Sequence, residues 1–145
     1  MSEFVEVKTA ELVGPALDWA VAKCSGMPLF TMGDEWAGNY TVTMTAAEKP
    51  ILILDLTGMM WREYQGVTVP WEPSSDWGQG GPLRDKYDVG IEHGVPDGIP
   101  YAYLPGRYLD GSRGETALIA LCRAIVAAKL GEVVQIPTEL AGVHR

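Results

Sequence analysis

The chain is poor in the residues that most often carry chemistry. It has two cysteines and two histidines in 145 residues. Cys24 and Cys122 stand alone, with no CxxC and no Cys/His spacing of a metal site. Each lies in an apolar, helix-like stretch, which reads as a buried free thiol in a reducing cytoplasm. His144 is next to the last residue, and His93 sits in the turn-like Glu-His-Gly. An acid/base machine built on histidine has little to draw on. Hydrolase, metalloprotease and phosphate-loop signatures are missing: no GxSxG, no HExxH, no GxxxxGK, and no GxGxxG opening a helix. Carboxylate pairs occur at Asp34/Glu35 and Asp85/Asp88, but neighbours in sequence are not a shared site.

Positive charge is scarce as well. Eleven Lys and Arg face nineteen Asp and Glu, for a net charge of −8 and a pI near 4.6. A general nucleic-acid binder needs a basic face to displace counterions, and none is evident. The acids are scattered rather than blocked, so they read as a solvated surface. No apolar run approaches the ~18 residues of a membrane span, and MSEFVEVKTAEL has no basic stretch followed by an apolar one. These absences point to a cytoplasmic protein that neither binds nucleic acid generally nor enters a membrane.

What is present suffices for a core. Apolar residues make up 47% and mean hydropathy is +0.03. A chain of this length suits one domain, residues 1–145, burying roughly 70% of its extended surface. Phe4–Val7 alternates as a short strand. Gly14 to Gly26 reads as a helix, with proline in the first turn and Leu17, Ala20, Val21 and Cys24 on one apolar face; Asp18 and Lys23 fall off it. Residues 28 to 72 read as β, including Tyr40–Met44 and Ile51–Leu56. Glycines and prolines crowd the region from Gly66 to Gly114, which reads as loop with short strands near Tyr87–Ile91 and Tyr101–Leu104. Thr116 to Leu130 is the clearest helix, capped by Thr116 and stopped by Gly131. Val133–Ile136 forms a last strand, and 141–145 a frayed tail. The fold class is α+β: a single compact domain, a small mostly antiparallel sheet with two main helices packed on it.

One loop stands out. PSSDWGQGGPL, Pro73 to Leu83, is too polar and glycine-rich for core, yet carries Trp77. Glycine lets backbone amides approach an anion. Trp77 offers a stacking face. Ser75, Asp76 and Gln79 can read polar edges, Gly80 and Gly81 can cradle a phosphate, and Arg84 can reach one. Alternatively, Asp76 caps a turn and Trp77 plugs the core. Trp19 and Lys23 share a helix face one turn apart, and Arg123 interrupts the apolar C-terminal helix. That cation must snorkel, pair with Asp76 or Asp18, or face a ligand.

Three stretches in order, ALDWAVAKCSG (Ala16–Gly26), PSSDWGQGGPL (Pro73–Leu83) and TALIALCRAIVAAKLGEVVQIP (Thr116–Pro137), resemble the NinX family of small lambdoid-phage accessory proteins. The stretches Met27–Trp71 and Glu92–Gly114 between the blocks depart from the family pattern. The resemblance implies phage origin and a host-cytoplasm setting, and it marks Trp19, Lys23, Asp76, Trp77, Gln79, Gly80, Gly81 and Arg123 as motif positions. The leading expectation is a small-ligand binder without cofactor or metal. It sequesters a phosphate-bearing nucleotide signal of host defence, through Trp19, Lys23, Ser75, Asp76, Trp77, Gln79, Gly80, Gly81, Arg84 and Arg123. Such binders are commonly homo-oligomers, with Trp61, Tyr64 and Trp71 as an interface strip. The competing expectations are an enzyme that cleaves such a signal, with Asp76 as base helped by Asp85 or His93, and an acidic inhibitor of a host nuclease or effector.

Overall fold

A computed structural model describes residues 4–31, 49–55, 57–94 and 97–141. The expected strand at Tyr40–Met44, the pair Asp34/Glu35, the last residue of the expected strand Ile51–Leu56, and the tail from Gly142 onward (with His144) lie outside the described residues.

The chain is α+β, as its patterning predicts, but its strands fall into three small sheets. In the first, β1 (Phe4–Lys8) pairs antiparallel with β9 (Val133–Pro137), in a register from Phe4 opposite Pro137 to Lys8 opposite Val133. The second orders β2 (Leu29–Thr31), β3 (Ile51–Leu54), β4 (Met60–Tyr64) and β5 (Val67–Pro70), with β2 parallel to β3 and the rest antiparallel. The third is a meander of β6 (Gly90–His93), β7 (Pro100–Tyr103) and the two-residue β8 (Ser112–Arg113).

Among the described residues, three helices longer than one turn pack among these sheets: α1 (Gly14–Cys24), α2 (Trp77–Tyr87) and α3 (Ala117–Leu130). A last turn, α4 (Thr138–Ala141), follows β9, and 3₁₀ turns occur at Thr9–Glu11 and Tyr108–Asp110. The most enclosed helix is α3. Thr116 caps it through Oγ1, which accepts from Ile119 N at 3.1 Å, and Gly131 ends it at φ +96°. Leu121, Cys122, Ile125 and Val126 are fully buried and meet Leu17, Ala20 and Val21 of α1 within one apolar cluster. Burying side chains of this size contributes about 1.5–3 kcal/mol each before the cost of ordering them.

Two expectations need correcting here. Asp18, off the helical apolar stripe, is buried. α1 is covered from Pro15 to Ala22, so a polar position on its circumference is also interior. Tyr87 is not a strand residue but ends α2, and the strand that follows begins at Gly90.

Candidate functional site

The conspicuous loop is a helix. Residues 73–75 form the approach, Asp76 is the N-cap, and Trp77 begins α2. Asp76 accepts from Gly78 N at 2.8 Å and so satisfies one of the free donors of the first turn. Three glycines and Pro82 within this helix oppose its formation, at about 1 kcal/mol per glycine. The reason for one of them is visible. A Cβ on Gly80 would lie 2.4 Å from Leu118 Cδ2 and 2.8 Å from Pro73 O, so only glycine lets α2 approach α3 this closely. Gly81 has open space around it.

The other motif residues also have structural occupations. Gln79 Oε1 accepts from Glu72 N at 2.7 Å, and its Nε2 donates to Pro70 O at 2.6 Å, stapling the end of β5 to α2. Ser75 Oγ donates to Glu72 O, and Arg84 Nε to Val89 O at 3.3 Å near the helix end. Trp19 is buried against Phe4, with Lys23 Nζ 5.4 Å from its ring centroid. It is therefore a core residue, not an open stacking platform. Trp77 is half exposed and lines neither of two cavities, of about 480 and 810 Å³. Arg123 donates from Nε to Leu12 O and from Nη1 to Arg113 O, each at 2.9 Å. Burial lowers its pKa from the usual value, opposed by the nearby Glu115. Its donors serve two main-chain carbonyls from outside α3, one partly buried and one exposed. Neither the expected acid pairing nor a phosphate role is needed to explain it.

The expected interface strip fails at one end. Trp71 is buried, with Nε1 donating to Asp18 O at 2.8 Å. Asp18 Oδ1 accepts from Ser74 N at 2.8 Å, so this carboxylate ties the first motif block to the second. Trp61 is partly buried and donates to Asp55 Oδ2. Asp76, Asp85 and His93, offered for cleavage, line neither cavity. Among the described residues no group of three or more His, Cys, Asp or Glu is arranged to hold a metal ion, and no helix is long and apolar enough to cross a membrane. Both cysteines are free. Burial pushes the Cys24 thiol up to about 11 against the pull of Lys129 and Lys23, and raises that of Cys122 further.

A cavity that the sequence did not announce lies beside α2. It measures about 480 Å³. Ser25, Gly26 and Met27 from the end of α1 form one side, and Gly78, Gln79, Pro82, Leu83 and Lys86 of α2 another. Lys49, Pro50, Arg62, Val69 and Trp71 complete it. Lys49, Arg62 and Lys86 are thus three cationic residues in one lining, with the Arg62 guanidinium 5.8 Å from the Tyr64 ring centroid and Lys86 Nζ 5.3 Å from that of Tyr87, and no carboxylate is among its described lining residues, in a chain of net charge −8. Ser25 Oγ, buried, finds no hydrogen-bond partner among the described residues. An unpaired buried hydroxyl at a cavity wall is a ready donor for a bound acceptor. Of the expected site residues, only Gln79 lines this cavity, beside Gly78 of the same motif block. Lys49, Arg62, Trp71 and Lys86 were missed because each carries no local signal; the fold, not spacing, gathers them.

A comparison with curated proteins gives no match. A family model described as "Bacteriophage P22, NinX" matches residues 8–129, a span that includes the α1 and α2 motif blocks and most of the third. The cap at Asp76, the close approach at Gly80 and the Asp18 tie between blocks all fall within the matched span, and the chain belongs to the NinX family of bacteriophage proteins.

Proposed function

We propose that this phage protein binds a small anionic, nucleotide-like ligand in the cavity beside α2 and sequesters it without cleaving it. The observation that carries the reading is the presence of Lys49, Arg62 and Lys86 in one lining that has no described carboxylate. Charge-assisted hydrogen bonds from Lys and Arg to phosphate are roughly twice as strong as neutral ones. The apolar part of the lining (Met27, Val69, Trp71, Leu83) suits the uncharged remainder of a ligand, and the volume falls in the range of small-molecule sites. Trp71, rather than Trp77 or Trp19, is the tryptophan at the cavity. In the setting of a phage protein, the ligand class is a cyclic or otherwise phosphate-bearing nucleotide signal of host defence, met in the host cytoplasm. The described lining residues offer donors and no carboxylate or histidine to act as general base, which favours holding over hydrolysis.

Calorimetry against a panel of cyclic dinucleotides and cyclic ADP-ribose isomers tests this. Binding of at least one member is expected. Arg62→Ala and Lys86→Ala each weaken it by about tenfold or more, with the circular dichroism spectrum unchanged. Chromatography after heat release then recovers intact ligand. Recovery of products instead identifies an enzyme, and a folded protein that binds no panel member overturns the proposal.

A further inference from the structure

A second cavity lies on another face. It measures about 810 Å³ and opens between the β1/β9 ribbon and the turn that follows β7. Ala124, Ala127 and Ala128 of α3 are among its lining residues, as is Tyr103. Around it stand Lys8, Arg107, Asp110 and Glu132, all exposed. Leu109 also lines it and is 90% exposed, more than any other large apolar residue described. Its neighbour Tyr108 and the lining residue Val133 are about half exposed.

We infer that this face is where two copies of the chain meet, related by a two-fold axis, with Leu109 of each protomer entering the other's cavity. The inference is independent of the ligand reading. A two-fold interface needs a patch that is complementary to itself. Here a protruding leucine and a cavity with small alanines in its lining occupy the same face. The charges are self-complementary too: two cations and two anions among the described lining residues cancel, and rotation can set one sign against the other. Over the molecule as a whole, a net charge of −8 opposes self-association. The described charges of this patch sum to zero and so add nothing to that opposition. A stable interface buries roughly 800 Å² per partner, about a tenth of the chain's 8063 Å².

Sedimentation equilibrium of the full chain tests the inference. The wild type is expected to dimerise with rising concentration. Leu109→Asp is expected to be monomeric at the same concentrations, with an unchanged circular dichroism spectrum because the side chain is in solvent. Arg107→Glu is expected to weaken the dimer at least tenfold, and Arg107→Glu with Asp110→Arg to restore it, an effect that a local folding defect would not produce. A wild type that stays monomeric throughout, a dimer that survives Leu109→Asp, or a pair of swaps that fails to restore association overturns the inference.

Discussion

At the scale of single residues, several polar side chains that looked like ligand readers are fasteners. Asp18 is the most consequential. Its carboxylate is buried and accepts from Ser74 N, while its own carbonyl accepts from the Trp71 indole. Removing the carboxylate leaves a buried amide without its acceptor, which costs about 1–3 kcal/mol. Asp18→Ala is therefore expected to lower the free energy of unfolding by about 1–3 kcal/mol, read as a fall in the denaturation midpoint. Asp18→Asn, which keeps an acceptor oxygen, is expected to lose less, and urea titration followed by tryptophan fluorescence separates the two. Arg123 illustrates the same lesson. Its position in an apolar helix was legible as a problem that the fold must solve. That the solution is two main-chain carbonyls, contributed from Leu12 and Arg113, was not, because carbonyls leave no mark in a sequence.

At the scale of elements, α2 shows where local reading meets its limit. Three glycines, a proline and a polar start forecast a loop, and intrinsic propensity agrees. Tertiary packing overrides it: Asp76 caps the first turn, and Gly80 lets the helix lie against Leu118 of α3. The two adjacent glycines should therefore respond with opposite sign. Gly80→Ala forces a methyl into a space 2.4 Å from Leu118 and 2.8 Å from a carbonyl. Overpacking of this kind costs about 1–3 kcal/mol. Gly81→Ala meets nothing within 4 Å and removes helix-opposing entropy, for a gain of about 0.5–1 kcal/mol. Thermal unfolding of both variants checks the pair: one midpoint should fall and the other rise. By contrast α1, α3 and the strands β1, β7 and β9 were readable within a residue or two, because periodicity, caps and terminal glycines all agree there. β8, two residues long, has no period to detect.

At the scale of the whole molecule, composition gave the sign of the charge and not its placement. Lys49, Arg62 and Lys86 come from the approach to β3, from β4 and from α2, and only the tertiary fold collects them. The family match, residues 8–129, covers the second and third sheets and the three main helices. Most of β1 and all of β9 lie outside it, so the matched region is closed by a ribbon joining the two ends of the described chain. That ribbon has a mechanical character. Phe4 and Pro137 face each other at the same end of it. Tension applied there loads the cross-strand bonds one rung after another rather than all together, since antiparallel bonds run perpendicular to the strands. Handles at Phe4 and Pro137 should open it at lower force than handles at Phe4 and Val133, which load it in shear; single-molecule stretching compares the two. The order of the rungs, more than their number, thus sets how this closure answers a pull on Phe4 and Pro137.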